Sequence, residues 1–356
     1  MSQHGHHEAP RRELLPGVTR RAAVLVVGVL LLQLGFVLSY IGAFHSPVPR
    51  DVPLAVVAPA GAPAGTADSL VDQLDGLAGS PVDATAYDTE NAARQALADR
   101  DVDGVFLPGT GTADTLLVAG AEGGAVSSAL EQVLTQVEGA QSRTLTTTDA
   151  IPAGDGDARG LSAFYLAVGW VVGGYLVASI IGISAGSRPL TRGRGATRLA
   201  ALAVYSLVSG LGGALIAGPV LGALDGGHTL ALTLFGALLV FGVGALTMAL
   251  QVWTGLVGIG LAIVLFVILG NPSAGGAYPA PLLPPFWAAI GPWLPPGAGT
   301  DAVRGIVYFG GSGVAQACWV MAAYAVGGVV ATLVGSGRRT AAEPEPVPAE
   351  RVDVRG

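Results

Sequence analysis

Residues 22–44 read AAVLVVGVLLLQLGFVLSYIGAF, 23 positions without a charge. A helix needs ~20 apolar residues to cover ~30 Å of hydrocarbon. Inside lipid every backbone polar group must pair within its own segment, so a run of this kind reads as a spanning helix. Five more follow, at Leu161–Ser184, Leu199–Gly222, Thr229–Leu250, Val252–Gly270 and Val314–Gly335. The first stands alone, with residues 45–160 between it and the second. The layout predicts a polytopic α-helical membrane protein of six spans, with one small folded domain inserted between the first and second.

Composition agrees with that class. Half of the chain (51%) is hydrophobic and 12% is charged, against about 25% charged residues in an average soluble domain. There is no lysine, and all 18 basic residues are arginine. A phosphate-binding loop of the form G-x-x-x-x-G-K-[ST] therefore cannot exist here. If ATP drives this protein, another chain binds it. The spans hold no Ser-His-Asp set, carboxylate pair or His cluster, so the chain reads as a non-enzyme without cofactor or metal. They also lack the midplane carboxylate or His of an ion-coupled transporter. Cys318, the single cysteine, falls inside the last span and cannot form an intramolecular disulfide. Nothing in the sequence suits nucleic acid.

Arginine placement sets the expected orientation. Arg11, Arg12, Arg20 and Arg21 precede the first span; Arg188, Arg192, Arg194 and Arg198 join the second to the third; Arg338 and Arg339 follow the last. Only Arg50, Arg159 and Arg304 flank the other ends. Ten against three places both termini inside and residues 45–160 outside a bacterial cell membrane. A cleaved signal is disfavoured, because the run is too long and too hydrophobic and no A-x-A site directly follows residues 22–44. Residues 1–21, with His4, His6 and His7, are expected as a cytoplasmic tail, and the Pro/Glu/Ala-rich residues 337–356 as a disordered one.

The insert has its own texture. Residues 46–160 carry 17 acidic side chains and 5 arginines. Val52–Ala58, Val82–Tyr87, Val102–Leu107 and Thr115–Ala119 read as strands. Thr66–Ala78, capped by Thr66, Thr89–Asp99 and Gly124–Val137 read as helices with apolar faces. The order β-α-β-α-β-β-α predicts a three-layer α/β module with a mostly parallel sheet. Leu107-Pro108-Gly109-Thr110-Gly111 matches a wall-sorting pattern, but no terminal span and basic tail follow it directly, and it reads as a turn. Asp155-Gly156-Asp157 lacks the further ligands of a calcium loop.

Two membrane segments are singled out. Arg188, Arg192, Arg194 and Arg198 crowd the inner loop Ala185–Arg198, the place for a cytoplasmic partner or for lipid phosphate. Prolines break Asn271–Gly311 into short pieces, and Pro284, Phe286, Trp287 and Trp293 suit an outer re-entrant or interfacial hairpin near 280–310. Asp301–Phe309 is expected as a short helix, with Asp301 and Arg304 paired at i,i+3. An exposed pair of that kind contributes at most ~1 kcal/mol. Glycines four apart, such as Gly169 and Gly173, allow spans to pack closely.

With NPSAGGAYPAPLLPPFW at 271–287 and LPPGAGTDAVR at 294–304 in view, the chain resembles the membrane subunit of a type-2 ABC exporter. It is most similar to the phage-infection-protein-like (YhgE/Pip) branch, over nearly its whole length; Ala92–Pro108 also resembles that branch's insert. The resemblance implies a dimer of permeases, a separate ATPase and export of an amphipathic or lipidic substrate. The short α/β insert departs from the longer helical inserts of some relatives. A second reading is a non-transporting surface receptor or assembly protein that binds a partner through its acidic insert.

Overall fold

The computed structural model describes residues 20–224 and 226–337. The N-terminal stretch with its three histidines, Asp225 and the C-terminal tail lie outside them.

An apolar helix, α1 (Arg20–Phe44), leads into an α/β unit of β1 (Val52–Val57), α2 (Thr66–Asp75), β2 (Val82–Tyr87), α3 (Glu90–Asp99), β3 (Gly104–Leu107), β4 (Ala113–Val118), α4 (Gly124–Ala140) and β5 (Thr144–Asp149). The strands form one sheet in the order β2-β1-β3-β4-β5, parallel except for the β3–β4 hairpin. Helices cover both faces. Leu74 of α2 and Val126, Leu130 and Leu134 of α4 pack on Leu54, Val56 and Leu116. Ala93, Ala96 and Leu97 of α3 pack on Ala55, Val105 and Leu117. Strands covered on both faces lose the alternation of a half-buried strand, which is why β1 reads VPLAVV.

Two local expectations are corrected. Thr89 does cap α3, accepting from the Ala92 amide at 3.1 Å. Thr66 does not cap α2; it is the first helical residue, follows a left-handed Gly65, and its hydroxyl donates to the Pro63 carbonyl at 2.7 Å. The fifth strand, TLTTTD, was not expected. It is an edge strand that offers only Leu145 to the core, and only threonine's β-branched preference for extended backbone marks it.

The remaining helices are α5 (Ser162–Ser184), α6 (Arg192–Leu215, continued by a wider turn to Val220), α7 (Thr229–Thr254), α8 (Val257–Ile263, likewise continued to Leu269), α9 (Pro285–Ile290), α10 (Pro295–Tyr308) and α11 (Val314–Gly335). Among the described residues, five helices are long and apolar enough to cross a membrane: α1, α5, α6, α7 and α11. The run Val252–Gly270 is shorter than expected. Gly255 turns the chain at φ 67°, and Gly258 packs so tightly on the Leu250–Gln251 backbone that an added Cβ would lie 2.5 Å from it. What remains is an apolar helix over Val257–Leu269.

The center of the bundle is α7. Glycines bring its neighbours close: a Cβ on Gly210 of α6 would lie 2.5 Å from the Thr233 carbonyl oxygen, and one on Gly174 of α5 2.8 Å from that of Val240. Gly169, by contrast, faces open space. The expected short outer helix is instead the 14-residue α10, buried from Pro295 to Thr300 and again over Ala302–Ile306, and packed between α5, α7 and α11.

Candidate functional site

Chemistry-bearing side chains collect at the two ends of the bundle. At the end away from the α/β unit, the four arginines of the inner-loop expectation divide into pairs. Helix C-termini leave unpaired carbonyls that attract cations. Arg198 donates to the Ala185 and Gly186 carbonyls just past α5, the latter at 2.7 Å. Arg188 donates to the Val252 carbonyl at 3.0 Å and to that of Trp253 at 3.3 Å, near the end of α7. Arg192 and Arg194 open α6 and are exposed, with Thr191 as the capping residue. The loop is thus shorter than expected, 185–191, because α6 begins at Arg192. Below it Gln251 is buried; its amide packs against the Cα of Gly182, and its Nε2 has no hydrogen-bond partner.

At the other end, α10 and the α/β unit share a charge network. Arg100, left-handed at φ 66° just after α3, is held by both carboxylate oxygens of Glu122. The same guanidinium reaches the Asp301 carboxylate at 3.3 Å and lies 5.3 Å from the center of the Phe309 ring. Asp301 therefore makes its ion pair with Arg100 rather than with Arg304. Nor is Arg304 at the surface. It is 1% exposed, donates to the Gly160 carbonyl at 3.4 Å, and its Nε has no hydrogen-bond partner. The expected exposed i,i+3 pair is replaced by a network spanning two units, in which Arg100, Glu122 and Arg304 are largely buried and Asp301 is half-buried, because α10 lies inside the bundle rather than on it. Tyr308 adds a donor to Asp157 at 2.7 Å, and Ser312 one to the Asp99 carbonyl at 2.6 Å. A cleft of about 250 Å³ opens beside Arg100 and Asp301. Close by, burial and the charge of Glu122 raise the Asp103 carboxyl to about 7 against the opposing pull of Arg100.

The outer-hairpin residues are spread out. Pro284 precedes α9, Phe286 and Trp293 are more than half exposed, and Trp287 stacks edge-on against Phe286 at 5.1 Å. The same segment carries Leu282 into the core of the α/β unit, while Arg50 donates to the Leu283 carbonyl at 3.2 Å.

The chain matches no family model, no curated protein and no solved structure.

A third cluster lies at the starts of β4 and β5 and the end of α4, beside the turn that joins β3 to β4. Arg143 binds both oxygens of the buried Asp114, reaches Glu138 at 3.2 Å, and donates to the Gly109 and Gly111 carbonyls at 3.1 and 2.7 Å. It pins the Pro108–Thr112 turn. Burial raises the Asp114 carboxyl, but hydrogen bonds led by Arg143 outweigh that and leave it low. Burial, and then the hydrogen bond and charge of Asp114, raise Glu138 to about 7. Arg100, Glu122, Asp114 and Glu138 escaped the sequence reading. The only signal was that arginine is scarce in an acidic insert. Among the described residues no three His, Cys, Asp or Glu side chains gather as a metal site needs.

Proposed function

We propose that this chain is the permease subunit of an ABC-type exporter, working as a dimer with a separate ATPase on an amphipathic or lipidic substrate. In this reading it lies in a bacterial cell membrane with both termini inside and the α/β unit outside. Val257–Leu269 then serves as a sixth, short crossing between α7 and the α9–α10 segment. The observation that carries the reading is the division among the arginines. Arg188 and Arg198 hold helix ends, whereas Arg192 and Arg194 stand exposed on the first turn of α6, and no acidic residue lies between Ser184 and Ala200. Exposed guanidinium forks suit carboxylates on a cytoplasmic partner. The junction network supports it as well, since it ties α10 to the α/β unit and gives helix motion a rigid lever.

The test is Arg192→Glu with Arg194→Glu in the full chain. Co-purification of an ATPase encoded beside this chain should be lost, while membrane insertion persists because Arg188 and Arg198 remain. Undiminished capture by the double variant removes the docking role. Failure of the wild-type chain to capture any ATPase favours the receptor reading, which the 17 acidic residues of 46–160 support.

A further inference from the structure

Between the first half of α5 and the last turns of α6 lies a lateral cavity of about 540 Å³, the largest of the clefts described here. An engineered apolar cavity of ~150 Å³ holds a benzene ring. This one has room for a chain several times longer. Its walls include Leu166, Trp170, Gly169, Gly212 and Ile216, all within helices long and apolar enough to cross a membrane. Gly169 and Gly212 create the space, because a Cβ at either position meets nothing within 4 Å. The indole of Trp170 forms the back wall; its Nε1 donates to the Ser209 carbonyl at 3.1 Å, and its ring packs against Gly213 and Gly236. An empty groove of this size in hydrocarbon would forfeit the dispersion contacts of its whole lining.

A cation to match a headgroup stands in the short segment that leads into α5. The segment before α5 closes one end of the groove, with Gly156 packed against the Gly222 carbonyl of the turn that follows α6. In that segment Arg159 is exposed, is held at φ 64°, and makes no hydrogen bond or ion pair with another described residue. It precedes Ser162, which lines the groove, by three positions. The nearby Asp157 is already bound by Tyr308 and by the Ser162 amide at 2.7 Å.

We propose that the α5–α6 groove holds an acyl chain of an anionic phospholipid whose phosphate is bound by Arg159. This stands apart from the transport reading, since it needs only that α5 and α6 lie in a bilayer. It also explains why this cavity is apolar and lies between two membrane-length helices.

The experiment uses the full chain with Trp253, Trp287, Trp293 and Trp319 changed to Phe, so that Trp170 is the sole fluorophore. The protein is placed in vesicles of phosphatidylglycerol or phosphatidylcholine with brominated acyl chains. Trp170 lines the groove and is 2% exposed, so a bromine held in the groove quenches it more strongly than one in the surrounding lipid. Quenching should occur, at a brominated phosphatidylglycerol fraction roughly fivefold lower than for phosphatidylcholine, the factor for one arginine at the membrane surface. Arg159→Gln should abolish that preference. Gly212→Leu, and independently Gly169→Leu, should remove the quenching while the thermal midpoint holds. No quenching in either lipid overturns the proposal and points to a second copy of the chain filling the groove. Quenching that survives both leucine variants overturns the location, and equal quenching by both lipids overturns the role of Arg159.

Discussion

The guanidinium of Arg100, at the end of α3, lies 3.3 Å from the carboxylate of Asp301 in α10, across 201 residues of chain. It is the shared member of two ion pairs, one within the α/β unit and one to the bundle. Breaking a buried pair by removing one partner is costly because the other charge stays behind. Arg100→Met should therefore destabilise the protein by ~3 kcal/mol and expose the Asp99–Asp103 region to proteolysis before global unfolding. Asp301→Asn should cost less, because Glu122 still holds Arg100. Equal effects from the two variants would place the value of the contact in the Asp301 bridge alone.

Phe309 supplies a second test of that junction. It is 5% exposed and fills the α3 face of the sheet from outside the α/β unit. Phe309→Ala should cost ~3 kcal/mol. Residues 46–160 expressed alone should melt well below the full chain, since they lack Phe309, Leu282 and Tyr278. An isolated unit as stable as the intact protein would show that its core is complete without them.

Stability should fall with pH between about 5 and 7. Asp103 and Glu138 both have folded values near 7, above those of an unfolded carboxyl. In that window the folded chain holds protons that the unfolded chain has released. The contribution is complete below the unfolded values and is lost as pH rises through the folded ones. The thermal midpoint should drop by roughly 3 °C or more from pH 5 to pH 8. Asp103→Asn, which keeps the neutral form's shape, should flatten the slope. A rising midpoint over the same range would contradict the assignment.

The arginine pairs should separate in a melt. Arg198→Ala removes the cation at the end of α5 and should cost ~1 kcal/mol. Arg192→Ala and Arg194→Ala, on an exposed turn, should change stability by less than ~0.5 kcal/mol. Differential scanning fluorimetry in detergent measures all three.

Labelling can test which way the chain lies. In a Cys318→Ser background, Ser128→Cys on α4 and Gly193→Cys on α6 are both exposed positions. An impermeant maleimide on intact cells should react at the first and not at the second. The reverse pattern would invert the proposed orientation.

How much of this was legible in the sequence depends on periodicity. The long apolar helices and α2–α4 announce themselves by runs and spacings that no tertiary contact needs to rescue. The strand β5 did not, because Thr144–Asp149 offers only Leu145 to the core and takes its place by pairing with β4 and packing under α4. Val252–Gly270 read as one span because hydropathy is blind to Gly255, whose positive φ ends α7 and starts a new helix. The pair Asp301–Arg304 illustrates the limit for sites. Spacing puts them one turn apart, but partner choice was decided by Arg100, far away in sequence and near only once α10 is buried.

Helix α1 and helix α7 live under different rules. Only 6% of the apolar window of α1 is buried inside the protein, against 56% for α7. Lipid asks of a side chain only that it be apolar, whereas a neighbouring helix also asks for a shape. Most outward positions of α1 can therefore drift among Leu, Val, Ile and Phe without penalty, while Gly236, Gly242 and Gly244 of α7 sit against other helices and cannot. A saturation library should record this as two textures of tolerance: hydropathy alone in the first helix, volume in the central one.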